Sequence, residues 1–197
     1  MTWRIEAERK LIHLALIVIP IAAWLGLGWW PDFVRPLLWL GFGVGLALDL
    51  LRRRHAPFRG WVDTRVGHLF RPHEAWHPLG STLFLFGIAL AFTLFRPPVA
   101  LAASGFLVVG DAMAALVGSR FGRWRHGGGK SLEGAAACFA ACLLVGALVA
   151  RLDPTLGWPA RLAGAGVASM AEFAVPHGYD NVTVPLLAGL VLTWMAP

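Results

Sequence analysis

Seven apolar runs, several of them close to the length that crosses a lipid bilayer, succeed one another along this chain of 197 residues. A membrane-spanning helix needs about 20 predominantly apolar residues. Inside lipid every backbone polar group must be satisfied within the protein, so such runs fold as helices. We therefore expect a single all-α domain over residues 1–197, a polytopic integral membrane protein with about seven transmembrane helices. The predicted spans are Leu11–Trp30, Pro36–Leu51, Pro78–Phe95, Val99–Ser119, Gly134–Ala150, Pro159–Val175 and Val182–Ala196.

The composition agrees with a membrane protein. Hydrophobic residues make up 57% of the chain and charged residues 14%, and the mean hydropathy is +0.65. Soluble domains do not require so apolar a composition. Lysine and arginine outnumber the acids by 17 to 11, but they lie between the apolar runs, where topology and lipid headgroups account for them better than nucleic acid. The two cysteines, Cys138 and Cys142, are expected to be small packing residues.

The basic residues also predict an orientation. With the N-terminus in the cytoplasm and seven spans, 13 lysines and arginines fall on the cytoplasmic side and four on the other. This is the bias of the positive-inside rule. It places Lys10, Arg71, Lys130 and Asp180 on one side, with Asp111 roughly 12 Å deep at the rise of an α-helix. The segment Arg52–His77 is expected to be polar.

Two acids interrupt the apolar runs. Asp111 lies in the fourth span and Glu172 in the sixth. Acids inside membrane spans are costly and usually functional, although a structural ion pair is the alternative. Asp49 ends the second span before three arginines, and we interpret it mainly as an interfacial charge, with a role in the site as the alternative.

A stretch rich in small and basic residues follows Asp111. Ala115, Gly118 and Gly122 share a helix face with it, and small residues let a ligand or backbone approach closely. Three glycines then precede Lys130 and Ser131. This is not a P-loop, because that motif needs a glycine where Trp124 stands. Backbone N–H groups at a helix start, together with one lysine, still predict a phosphate site, the alternative being a flexible basic loop.

Two further groups of polar residues point to the same chemistry. Asp180 and Asn181 offer the oxygen ligands that magnesium prefers, although both residue types also suit a helix cap. Arg9, Lys10 and His13 are spaced so that they face one site, with a membrane-interface anchor as the alternative.

Several short motifs occur together and in order: a basic pair with a histidine, an acid with following arginines, Arg-x-x-Glu, a long motif from Asp to Glu-Gly, and a late Glu with Asp-Asn-x-x-x-Pro. They are carried by Arg9, Lys10, His13, Asp49–Arg53, Arg71, Glu74, Asp111, Ala114, Gly118, Gly122, Lys130, Ser131, Glu133, Gly134, Glu172, Asp180, Asn181 and Pro185. Most of the chain thereby resembles the CTP-dependent lipid-alcohol kinases: dolichol kinase, phytol kinase and yeast-type diacylglycerol kinase.

Some positions depart from the family pattern. Gly129 stands where the family usually has the first of two lysines, and Ser131 replaces a threonine while keeping the hydroxyl. The spacer after Gly122 is slightly short. The chain is also much shorter than dolichol kinases and resembles their catalytic end only. Phosphatidate cytidylyltransferases share the Asp…Gly…Lys-x-x-Glu-Gly motif.

The resemblance implies a kinase that transfers the γ-phosphoryl group of CTP, or of another nucleoside triphosphate, to the hydroxyl of a membrane lipid alcohol: polyprenol, phytol, geranylgeraniol or diacylglycerol. Its implied catalytic residues are Asp111, Lys130, Glu172 and Asp180. Its implied Mg²⁺ ligands are Asp111, Asp180, Asn181 and Glu172. Its implied nucleotide-binding residues are Arg9, Lys10, His13, Arg71, Glu74, Ala114, Gly118, Gly122, Lys130, Ser131, Glu133, Gly134 and Asn181.

The expected location is the cell membrane, with the active site facing the cytoplasm. The expected partners are a nucleoside triphosphate and a membrane lipid alcohol, without nucleic acid, and a homodimer is left open. Two alternatives remain: a CTP-dependent cytidylyltransferase acting on a lipid phosphate, and a transporter or scaffold whose acids form an ion path.

Overall fold

The computed structural model describes residues 3–29, 31–70, 77–125, 129–176 and 178–196. Within these ranges the regular structure is helical, apart from one isolated bridge between Arg125 and Ser131. The prediction of an all-α chain is confirmed. The helices are α1 (Trp3–Ala15), α2 (Val18–Trp29), α3 (Pro31–Arg54), α4 (Ala56–Val66), α5 (Gly80–Leu94), α6 (Pro97–Gly105), α7 (Asp111–Phe121), α8 (Leu132–Val149), α9 (Trp158–Ala174) and α10 (Asp180–Met195).

Two boundaries differ from the predicted ones. The second span was expected to begin at Pro36, but α3 begins at Pro31 and contains Pro36 in its interior. A proline can start a helix because the first residue makes no N–H hydrogen bond within the helix. The segment Arg52–His77 was expected to be polar and without a span, and it contains the short helix α4. His55 Nδ1 accepts the Phe58 N–H at 3.2 Å and caps this helix, a role that histidine does not often fill.

Four helical stretches are long and apolar enough to cross a membrane. Two shorter apolar helices, Gly80–Leu94 and Asp180–Met195, accompany them in the described part of the chain. These lengths indicate a membrane protein, while the count of seven spans and the orientation stay predictions. The four stretches are Glu8–Gly28, Asp32–Arg54, Pro97–Phe121 and Leu132–Val149.

A single rod runs through the centre of the molecule. It consists of α6, a π-helical turn at Phe106–Gly110 and α7, and its first two parts are almost entirely buried against α5, α8 and α10. A Cβ added at Gly110 would lie 2.8 Å from Cys142 Sγ and 2.9 Å from Cys138 Sγ, so both sulfurs pack against this glycine. The rod therefore places Asp111, the first residue of α7, deep inside the bundle. Large apolar side chains on α3, α8 and α10 point outward.

Candidate active site

Three acidic residues from three helices meet beside the central rod. Asp111 begins α7, Glu172 lies near the end of α9, and Asp180 begins α10. Each has at least one carboxylate oxygen within 4.8 Å of an oxygen of the other two, and all three residues are buried. Long stretches of chain separate Asp111 from the other two acids, so the helix packing brings them together.

Two lysines form ion pairs with these three acids. Lys10 Nζ donates a hydrogen bond to Asp111 Oδ2. Lys130 Nζ lies 2.9 Å from Asp180 Oδ2 and 3.2 Å from Glu172 Oε1, and it also donates to the Glu172 carbonyl. Both lysines are buried, which is rare for a lysine unless it is paired. The predicted site residues Lys10, Asp111, Lys130, Glu172 and Asp180 therefore form one cluster.

The charge on Lys130 is well supported. Its burial favours the neutral amine, but attraction to the carboxylates of Asp180 and Glu172 outweighs that effect and raises the pKa above its ordinary value. The ammonium group is therefore protonated at neutral pH. Removing either partner would leave buried charge without compensation, which costs far more than an exposed ion pair.

His13 stands next to the first lysine pair. Its Nε2 lies 3.6 Å from Asp111 Oδ2, and its ring meets Phe84 edge-on with centroids 5.1 Å apart. His13 and Lys10 are three residues apart in α1 and face the same carboxylate, as the spacing predicts. The alternative of a simple interface anchor does not describe these two residues.

Asp180 and Asn181 are held by the turn that starts α10. Asp180 Oδ1 accepts the N–H groups of Gly178 at 2.8 Å and Asn181 at 3.0 Å, while Oδ2 faces Lys130. Gly178 has a φ of +99°, a conformation that favours glycine. The Asn181 amide donates to the carbonyl of Gly80 at 3.1 Å. Asp180 thus orders the turn and belongs to the acidic cluster. The N-cap of α10 is Tyr179, so neither Asp180 nor Asn181 is the helix cap, and a magnesium site at this pair stays a prediction.

A cleft of about 190 Å³ opens above the cluster. It has room for several waters but is smaller than the roughly 300 Å³ of a typical ligand pocket, so it can enclose only part of a large ligand. Its polar lining includes Arg9, Lys10, His13, Asp111, Asp180 and Asn181. Its apolar lining, which the sequence motifs did not indicate, is Ile12, Leu16, Leu69, Phe70 and Leu79.

The small residues after Asp111 have a packing role in this structure. A Cβ at Gly118 would lie 2.9 Å from Ser131 Oγ, and one at Gly122 would lie 2.3 Å from the Gly118 carbonyl oxygen. A Cβ at Gly134 would lie 2.6 Å from the Ala114 carbonyl oxygen. These residues let α7 and α8 approach each other closely, with the Ser131 hydroxyl between them. Their contact with a nucleotide stays a prediction.

Backbone N–H groups at the start of α8 donate hydrogen bonds within the protein. Ser131 Oγ accepts the Gly134 N–H at 3.1 Å, and Leu132 N–H donates to the Trp124 carbonyl at 2.9 Å. Glu133 Oε1 accepts the Arg123 N–H at 3.0 Å and so ties the loop to the helix. These N–H groups therefore already have partners in the protein, and a phosphate site at this helix start stays a prediction. Gly127 and Gly128 of the predicted loop lie outside the described residues. Arg71 and Glu74 lie outside the described residues.

Comparison with known proteins decides the family. Over 205 aligned residues the chain is 32% identical to phytol kinase of Synechocystis sp., covering 94% of this chain and 78% of that protein. The chain belongs to the phytol/polyprenol kinase family. It is also 26% identical over 148 residues to an uncharacterized protein of Rickettsia prowazekii, covering 73% of this chain and 70% of that one. No protein-family model matches this family member, and no solved structure matches it.

Proposed function

We propose that this phytol/polyprenol kinase family member transfers the γ-phosphoryl group of CTP to the hydroxyl of a single-chain isoprenoid alcohol. The observation that carries the proposal is the composition of the cleft. Its polar lining includes the buried residues Lys10, Asp111 and Asp180, and part of its wall is apolar. Lys130 and Glu172 adjoin the cleft, because Lys130 pairs with both Asp180 and Glu172. One ligand of such a cleft is rich in phosphate and the other is a lipid with one polar end.

The donor binds at the floor. Lys10, Lys130 and Arg9 bind phosphate oxygens, since ammonium and guanidinium groups make strong charge-assisted hydrogen bonds to them. When the nucleotide binds, a phosphate oxygen replaces a carboxylate oxygen as the hydrogen-bond partner of each lysine. Asp111, Glu172 and Asp180, together with the Asn181 side chain, form an oxygen-rich donor set that suits Mg²⁺. A divalent cation there supplies neutralisation of charge that develops on the phosphates.

The acceptor lies against the apolar wall. Ile12 lies in α1 and Leu16 directly follows that helix, and Phe70 and Leu79 line the same cleft. An isoprenoid chain follows these side chains toward the bilayer and leaves its hydroxyl at the polar floor. The proton of that hydroxyl passes to a carboxylate of the cluster, for which Asp111 and Glu172 are the candidates.

The experiment that tests this reaction uses CTP labelled separately at the α and γ positions. The purified protein is incubated with phytol, geranylgeraniol, a short polyprenol, diacylglycerol and phosphatidic acid. Label from the γ position in an isoprenoid phosphate is the expected result. Label from the α position in the lipid would show a cytidylyltransferase instead. Equimolar ATP, GTP and UTP, each labelled at γ, establish the donor preference.

We further propose that the site faces the cytoplasm. A cysteine replacing the exposed Trp124 next to the site should react with an impermeant maleimide only in inside-out vesicles. The two native cysteines are buried in α8 and provide little background. Labelling in right-side-out vesicles would contradict this orientation without affecting the proposed reaction.

A further inference from the structure

Asp49 is a buried acid that the proposed reaction does not use. It lies near the end of α3 and is only 1% exposed. Its Oδ1 accepts from Arg52 Nη2 at 3.0 Å, and its Oδ2 accepts from Arg53 Nη2 at 3.4 Å and from the Leu79 N–H at 3.1 Å. The interpretation as an interfacial charge is therefore incomplete, because the carboxylate ties α3 to the residue that precedes α5.

The contact with Leu79 leads directly to the acidic cluster. Leu79 is followed by Gly80, whose carbonyl accepts the Asn181 amide at 3.1 Å. About two turns later in α5, a Cβ added at Gly87 would lie 2.1 Å from the Asn181 carbonyl oxygen. The backbones of α5 and α10 are therefore in contact. The first turn of α5 thus determines where Asn181 stands, and Asp49 holds that turn.

The contact with Arg52 leads to the apolar wall. The Arg52 guanidinium carbon lies 5.1 Å from the centroid of the Phe70 ring, within the range of a cation–π interaction. Phe70 and Leu79 both line the cleft. A single buried carboxylate therefore braces the polar floor through α5 and the apolar wall through Arg52.

We propose that Asp49 is a positioning residue that fixes Asn181 and Phe70 relative to the three carboxylates. It touches neither ligand, and its effect reaches the reaction through those two residues. The kinetic part of this inference rests on the proposed function. Partners one step removed from a site typically change metal affinity or activity about tenfold to 100-fold when they are replaced.

The kinetic test uses Asp49→Asn and Asp49→Ala. Asparagine keeps an acceptor for the Leu79 N–H but loses the charge that holds both arginines. We expect kcat to fall about tenfold in Asp49→Asn and about 100-fold in Asp49→Ala. In an Asn181→Ala background, Asp49→Ala should lower kcat by clearly less than about 100-fold, since the part of its effect that runs through Asn181 is already lost. Effects that simply multiply would contradict the proposal.

Asp153→Ala is the matched control. Asp153 is also a buried acid paired with an arginine, Arg96, but it lies at the other end of α5. The Asp153→Ala variant should have a lower thermal stability in detergent but an unchanged kcat per folded molecule. If Asp153→Ala lowers kcat as much as Asp49→Ala does, Asp49 has only a general structural role.

A second measurement needs no activity, and so separates this inference from the proposed function. Hydrogen exchange is followed by mass spectrometry in the unliganded wild type and in Asp49→Asn. We expect faster exchange in the first turns of both α5 and α10, with α8 unchanged. Faster exchange in α5 alone would show that Asp49 does not control Asn181. If exchange changes in both turns while no lipid is phosphorylated, the positioning stands and the proposed reaction is wrong.

Discussion

The two ends of the helix bundle each bury ionic groups, and they do so differently. At one end, three carboxylates from α7, α9 and α10 meet Lys10 and Lys130. At the other, Asp153 pairs with Arg96 at 2.8 Å and accepts the Thr155 N–H and hydroxyl. The second arrangement is a one-to-one pair that fastens a loop.

The two ends differ in the number of acids relative to basic groups and in whether the charged groups lie beside a cleft. In the acid-rich cluster each lysine faces carboxylates that line or adjoin an open cleft, so a phosphate can replace a carboxylate as its partner. The Arg96–Asp153 pair has one positive and one negative charge, so neither group lacks a counter-charge. Buried ion pairs are therefore weak evidence of function on their own, and an excess of acid beside a cleft is stronger evidence.

The largest effect that separates the two ends should come from removing single charges. Asp111→Asn and Asp180→Asn are each expected to lower phosphoryl transfer on the order of 1,000-fold while the protein stays folded. Asp153→Asn should leave it near the wild-type rate. The assay is transfer of γ-label from CTP, with size-exclusion chromatography in detergent as the folding control. The double variant should lose little more than either single one, because the residues act as a unit. Losses that multiply would exclude a shared site.

A second comparison replaces the basic partners. Lys130→Met should reduce activity roughly 100-fold, because a charge-assisted phosphate contact is lost. It also leaves Glu172 and Asp180 side by side, so the melting temperature should fall, and millimolar Mg²⁺ should recover part of the loss. Arg96→Met should reduce the melting temperature with no recovery by Mg²⁺. Differential scanning fluorimetry in detergent measures both. Equal behaviour of the two variants toward Mg²⁺ would argue against a cation site at the cluster.

A smaller effect is expected at the apolar wall. Leu16→Trp adds bulk where the isoprenoid chain should lie, and we expect KM for a long-chain alcohol to rise roughly tenfold, equivalent to about 1.4 kcal/mol. KM for CTP and for a short, water-soluble isoprenoid alcohol should stay unchanged. Leu148→Trp is the matched control, because Leu148 is 62% exposed on α8. A rise in KM for both alcohols would place the obstruction at the hydroxyl instead of the chain.

The smallest effect concerns the N-cap residue of α8, Ser131. Ser131→Ala removes the acceptor for the Gly134 N–H and should cost about 1 kcal/mol of stability, the usual value for an N-cap. Activity should fall less than about threefold if the hydroxyl has only this role. Thermal unfolding and the transfer assay on one preparation measure both quantities. A loss of activity without a loss of stability would instead support the predicted contact of Ser131 with the nucleotide.

Much of this arrangement could be predicted from the sequence, for identifiable reasons. The acids Asp111 and Glu172 stood out because charge inside an apolar run is costly, and Lys130 stood out because it follows three glycines. These features depend on local contrast in the sequence. The helical character of the chain follows from the bilayer itself.

Other features depended on long-range packing and could not be predicted. Nothing near Asp49 indicates that its carboxylate would reach the Leu79 N–H, since that contact depends on how α3 and α5 cross. The apolar wall uses Leu69 and Phe70, which resemble any apolar residues at a membrane interface. The glycines Gly118 and Gly122 were expected at a nucleotide, and in this structure Ser131 occupies the space beside them.

The order of the ion pairs along the chain bears on biosynthesis. Lys10 precedes Asp111, Lys130 precedes both Glu172 and Asp180, and Arg96 precedes Asp153. The ribosome delivers the N-terminal part first. In each of these pairs the cation has therefore been made before the acid that it neutralises leaves the ribosome. A growing chain with this order need not place any of these carboxylates in the bilayer before its counter-charge exists.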